Sequence, residues 1–153
     1  MKKVFYKTIL FSIALIVVGC KGTIEDRENF IGTYKGTYHG YKKLSITLVP
    51  TEDHISGEET FVIIAGEDDT SVILYMEEDT IYGNVVGNRV KFDPYYRTTQ
   101  DSLYLINEEY KMDAKLKKGG KFIYSTIITG SLTDENGYPY PLDGFIEGEA
   151  FKQ

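Results

Sequence analysis

A chain of 153 residues with 23 acidic against 17 basic side chains carries a formal net charge of −6, and an anionic surface is a poor partner for nucleic acid or for acidic lipid phosphates. A single cysteine excludes an internal disulfide and a cysteine-built metal site. The length suits one domain with a real core, whose stability must come from packing.

The chain opens with Lys2, Lys3 and Lys7, continues as an apolar run from Ile9 to Val18, and then reaches Gly19 and Cys20. A basic start followed by about ten apolar residues has the make-up of a secretory signal. It is too short to span a bilayer, which takes about 20 apolar residues. The stretch Val17-Val18-Gly19-Cys20 resembles the lipobox of bacterial lipoproteins. That resemblance implies a signal peptide over residues 1–19, cleavage before Cys20, and transfer of a diacylglyceryl group to the Cys20 thiol. Palmitate-type acylation would complete the anchor, since one chain holds a protein marginally and two or more hold it stably. Loss of residues 1–19, which carry three lysines and no acid, takes the charge to −9.

Residues 20–29 read as the lipidated cysteine and a short polar tether, with no hydrophobic period. Lys21 stands where inner-membrane lipoproteins of enterobacteria usually carry Asp, so the resemblance implies the outer membrane. Glu25-Asp26 is a partial, displaced version of the acidic cluster found in surface-exported lipoproteins of Bacteroidetes type. A periplasmic or surface-facing orientation stays open.

Residues 30–153 read as one all-β domain. Candidate strands fall at 32–38, 42–49, 59–65, 70–76, 79–86, 89–93, 101–106, 110–117, 121–131 and 143–152, with turn signals between them. Leu44, Ile46 and Leu48 alternate with Ser45 and Thr47, and Met112, Ala114 and Leu116 alternate with charged residues, which gives each strand a core face and a wet face. The runs 61–65 and 72–76 are apolar on both faces. Gly87-Asn88, Lys118-Gly119-Gly120 and Asn136-Gly137 supply the positive φ that tight hairpins demand. The expected architecture is an antiparallel up-and-down meander of about eight to ten strands closing into a barrel, which removes exposed edges; a β-sandwich is the alternative.

The stretches Phe30-Ile31-Gly32-Thr33-Tyr34-Lys35-Gly36, Gly83-Asn84-Val85-Val86-Gly87-Asn88 and Gly144 to Phe151 resemble the opening strand, mid-barrel hairpin and closing strand of calycin-like, lipocalin-like barrels in small bacterial lipoproteins. Gly32 and Tyr34 stand where lipocalins carry Gly-x-Trp, and Lys152 is the nearest late cation. A fold hosts many functions, so the resemblance implies architecture and no activity.

Catalytic patterns are nearly absent. His39 and His54 have no partner at metal spacing, and no Gly-x-Ser-x-Gly elbow exists. Asp134-Glu135-Asn136-Gly137 lacks the spacing of a calcium loop and reads as a hairpin turn. Acidic runs such as Glu67-Asp68-Asp69 and Glu77-Glu78-Asp79 read as solvated strand ends. No enzyme, metal or cofactor is expected. Thirteen tyrosines without tryptophan are the largest amphipathic surfaces on offer. Tyr38, Tyr41, Tyr138 and Tyr140 fall at turns, where sheet packing explains them least, and Tyr95-Tyr96-Arg97 forms a comparable loop cluster.

Alternating connections in a strict meander would gather His39, Gly40, Tyr41, Glu67, Asp68, Asp69, Glu108, Glu109, Asp134, Glu135, Tyr138 and Tyr140 at the membrane-distal rim, and Tyr38 joins them as a candidate contact residue. Lys117, Lys118 and Lys121 would lie at the proximal end with Glu77, Glu78 and Tyr95. Such an acidic, tyrosine-bearing rim suits a basic protein partner. The expected function is therefore a membrane-anchored envelope lipoprotein whose barrel is a non-catalytic interaction module, of inhibitor or accessory-subunit type. The alternative is a barrel that binds an apolar small molecule or glycan. Bulky candidate inward residues (Leu44, Ile46, Leu48, Phe92, Met112, Leu116, Phe122) favour a filled interior.

Overall fold

The computed structural model describes residues 23–45, 50–77, 79–100 and 103–153; the expected signal segment over residues 1–19, Cys20, Ile46, Leu48 and Glu78 lie outside them. A short helix α1 (Ile24–Phe30) precedes nine strands: β1 (Gly32–Leu44), β2 (Thr51–Ala65), β3 (Ser71–Met76), β4 (Asp79–Val86), β5 (Arg89–Phe92), β6 (Tyr95–Gln100), β7 (Tyr104–Lys117), β8 (Lys121–Asp134) and β9 (Pro139–Lys152). All neighbours are antiparallel. Pairing of β1 with β9 and of β5 with β7 closes eight strands into a barrel, and β6 continues alongside β7 as an extra strand.

The all-β barrel expected from the sequence is thus the observed fold, but three strand boundaries change. Residues 32–38 and 42–44 belong to one strand, as do 51–58 and 59–65, and 104–106 and 110–117. His39-Gly40-Tyr41 is therefore not a turn. A Cβ at Gly36 would sit 2.0 Å from the Glu149 carbonyl oxygen, and one at Gly40 would sit 2.0 Å from that of Phe145, so these glycines let β1 run straight through a close approach to β9. The loop assigned to Tyr95-Tyr96-Arg97 is the start of β6. The turn glycines behave as expected, with φ of 59° at Gly87, 85° at Gly119, 74° at Gly120 and 82° at Gly137.

The tether reading also changes from Ile24 onward. Thr23 caps α1: its Oγ1 accepts from the Asp26 N–H at 3.1 Å, and the Asp26 carboxylate accepts from the Thr23 N–H at 3.1 Å. This reciprocal capping box satisfies two orphan donors, and Glu25 and Asp26 complement the positive helix start. Phe30 then plugs the barrel base. Its ring meets Phe122 edge-on at 6.3 Å, while Tyr34, Phe61 and Phe122 pack mutually at 5.2–5.3 Å. The Tyr34 hydroxyl donates to the Phe30 carbonyl at 2.9 Å, so the one buried polar tip in this cluster is satisfied.

The interior is filled. Phe92, Met112 and Phe122 are buried, and Leu116 packs half-buried against them. Small inward residues do not hollow it: a Cβ at Gly148 would lie 2.4 Å from the Tyr124 ring, so the aromatic occupies the space the glycine leaves.

Beyond the barrel mouth the sheet opens. β3 meets only Phe61–Ala65 of β2, which leaves Thr51–Thr60 paired with β1 alone. On the other side Asp93-Pro94 adds one residue between Lys91↔Asp113 and Tyr95↔Tyr110, a bulge where proline donates no ladder bond. The strand thereby leaves β4 and follows β7 outward. The resulting open sheet, β2-β1-β9-β8-β7-β6, curls over a second, smaller core of Tyr110, Ile128 and Leu142.

Candidate functional site

The candidate contact residues expected at one rim are dispersed over the molecule. The hairpin holding Glu67, Asp68 and Asp69 lies at the barrel base, where Arg27 of α1 donates to the Asp68 carbonyl at 2.7 Å. Tyr138 and Tyr140 lie at the opposite, open-sheet tip, organised by Asp134, which accepts from the Tyr138 N–H at 2.9 Å and from the Tyr140 hydroxyl at 3.1 Å. Those bonds hold the Asp134 carboxyl below its usual range, the Tyr138 N–H most of all. Glu108 and Glu109 are neighbours in mid-β7 and so face opposite sides of the sheet. Merging the strands inverts the alternation of ends on which the single rim depended. For the same reason Glu77 and Tyr95 sit at the barrel mouth, away from the basic Lys117–Lys121 hairpin.

At the mouth, inward residues form a charged aromatic network. Lys42 Nζ lies 2.6 Å from Glu108 Oε1 and 3.1 Å from the Tyr110 hydroxyl, which itself donates to Glu108 Oε2 at 2.7 Å. Tyr95 stacks on Tyr110 at 4.7 Å, and the Arg97 guanidinium lies 5.5 Å from the same ring while binding Asp79. Tyr38, half-buried beside this network, packs against the main core. Glu59 accepts from the Tyr124 hydroxyl at 2.6 Å; burial raises its carboxyl above the usual range, partly opposed by that bond. Burial also raises Tyr95, Tyr110 and Tyr124, so none of these hydroxyls gives up a proton readily. Every charge here has a partner, and the network closes the mouth above the filled core.

A broad concavity lies outside the barrel. An open cavity of about 1000 Å³ runs across the outer wall of β1, β9, β8, β7, β5 and β4. Outward side chains line it in two registered rows, Thr37, Glu149, Ile123, Lys115, Arg89 and Val86, then His39, Glu147, Ser125, Asp113, Lys91 and Asn84. One end is acidic, where Glu147 pairs with His39 at 2.9 Å and Glu149 with Lys121. The other end carries Arg89, Lys91 and Lys115, with Asp113 between. Of the expected site residues only His39 falls in this groove. Its remaining members were missed because outward polar residues on a strand look like an ordinary wet face. Their curvature comes from strand pairing distant in sequence.

A second, smaller cavity of about 420 Å³ continues along β6, β7 and β8. There Glu109 accepts from Tyr96 at 2.9 Å and pairs with Lys111 at 2.7 Å, contacts that hold its carboxyl below the usual range, Lys111 first. Tyr41 stands outward on β1, half-buried, opposite Phe145 and His54. Among the described residues no three metal-ligating side chains cluster, and no helix is long and apolar enough to cross a membrane. No family model, curated protein or solved structure matches this chain.

Proposed function

We propose that this chain is an envelope lipoprotein, anchored through acylated Cys20, whose barrel is a non-catalytic protein-interaction module working through the outer groove. The observation that carries the reading is the pairing of a filled interior with a 1000 Å³ charge-graded groove on the outer wall. A filled core gives an apolar ligand no lumen to enter, whereas an open polar groove suits a protein segment. The gradient selects a partner whose basic part meets Glu147 and Glu149 and whose acidic part meets Arg89, Lys91 and Lys115.

Two experiments test the two halves. Metabolic labelling with a fatty acid is expected to mark the wild-type chain and not Cys20→Ser; label retained by the serine variant removes the anchor. A photo-crosslinking residue at Ser125, in mid-groove, is expected to capture a protein in intact envelopes, and Lys91→Glu in the same chain is expected to abolish that adduct. Adducts from position 138 alone would move the working surface to the open-sheet tip. Stoichiometric uptake of an apolar dye in place of any adduct would favour a small-ligand barrel.

A further inference from the structure

Residues 61–65 and 72–76 are apolar on both faces, yet the core uses only one face of each. Phe61, Ile63, Val72 and Leu74 point inward and are buried. Their neighbours Val62 and Ile64 on β2, Ile73 and Tyr75 on β3, and Tyr82 on β4 point outward in register, Ile64 opposite Ile73 opposite Tyr82, and Val62 opposite Tyr75. Ile64 is 38 %, Tyr75 42 % and Tyr82 57 % exposed. The outward positions flanking them, Thr33, Thr60 and Thr80, are uncharged as well. This wall differs in kind from the charged groove, which it meets along β4, and an apolar face of this sort marks a contact surface.

The position of the chain's start says which surface. Helix α1 contacts β2 and β4, and Arg27 ties it to the β2–β3 hairpin. Ile24 on α1 is a half-exposed apolar side chain as well. Only three residue steps separate Thr23 from Cys20, a reach of at most roughly 11 Å when fully extended. An acyl anchor at Cys20 therefore holds this side of the barrel against its membrane.

We infer that the outward wall of β2, β3 and β4 docks on the lipid bilayer itself, with Tyr75 and Tyr82 seated at the headgroup level and Ile64 and Ile73 beneath them. The inference rests on the lipid-anchor reading. Tyrosine suits that depth because its ring is apolar and its hydroxyl stays wet. The wall carries no cation, and the adjoining hairpin holds Glu67, Asp68 and Asp69, so the matching surface is neutral phospholipid. The contact is apolar and insensitive to salt.

The test uses the acylated full-length protein in phosphatidylcholine vesicles that carry shallow nitroxide-labelled lipids. Cys20 is the chain's one cysteine, so once it is acylated an introduced cysteine is the single free thiol. Tyr82→Cys and Tyr75→Cys, each labelled with an environment-sensitive fluorophore, are expected to shift to the blue and lose most of their emission to the nitroxides, unchanged at high salt. Ser125→Cys, on β8 across the barrel, is expected to stay bright and wet. Equal quenching at positions 82 and 125 would mean that the barrel tumbles on its tether, and docking would be lost while the anchor stands. A blue shift at position 82 without quenching would assign the wall to a second copy or another protein and overturn lipid docking. Protein that fails to float with the vesicles would remove anchor and docking together.

Discussion

Replacing Phe122 with alanine is expected to lower the unfolding free energy by about 3–5 kcal/mol, the usual cost of emptying a buried phenylalanine site. Phe122 is fully buried and touches all three other rings of the base cluster, Phe30, Tyr34 and Phe61. Three rigid rings and a closed barrel cannot collapse far into the space, so the cavity term stays. The check is a denaturant titration in which the midpoint falls and the slope holds, which separates lost stability from a changed unfolded state. Phe151→Ala supplies the contrast. That ring lies on the outer wall, 48 % exposed, and its loss is expected to cost less than about 0.5 kcal/mol, as at ordinary surface sites. Equal costs at the two positions would contradict a core centred on the aromatic plug.

The second large effect is alkaline unfolding. Burial pushes the Tyr34 hydroxyl up to about 12 and raises Tyr110 and Tyr124 as well, the hydrogen bonds to Glu108 and Glu59 adding to the latter two. In the unfolded chain a tyrosine loses its proton near pH 10. Between that value and the raised folded one, the folded state binds more protons than the unfolded state, so stability falls as pH rises. Each such tyrosine contributes a loss of about 1.4 kcal/mol per pH unit in this window. Three acting together exhaust a marginal stability of roughly 5–15 kcal/mol within a few units. Absorbance of tyrosinate is expected to show a cooperative step in which the buried set, Tyr34, Tyr110 and Tyr124, ionises as the sheet signal disappears. A single smooth titration with the fold intact would mean that the buried hydroxyls are in reach of water.

The barrel was legible because its cues are local. Alternation in 112–116, glycine-bearing turns at 87, 119–120 and 137, and the bulky inward residues each declare themselves within a few positions, and the observed strands use them as expected. Strand continuity was harder to read. His39-Gly40-Tyr41 and Glu108-Glu109 look like turns because glycine and adjacent acids usually are, yet Gly40 answers to the backbone of Phe145 and Glu108 to Lys42, partners far away in sequence. Once those breaks vanish, so does the alternation that set the rim, and the expected site disperses. The capping box Thr23-Ile24-Glu25-Asp26 was a readable signal for α1, hidden in a stretch whose polarity suits a tether equally well.

Antiparallel pairing of β1 with β9 spans almost the whole described chain, with Tyr34 opposite Lys152 and Leu44 opposite Leu142. Contacts so distant in sequence make folding slow, because the loop must close before the pairing rewards it. The barrel also has no finished form until its final strand is present, and a nascent chain lacking β9 exposes the edges of both β1 and β8. A polypeptide built this way keeps two open edges until β9 arrives. Closure is then a single late event, in which β9 finds both of its partners, β1 and β8, already in place.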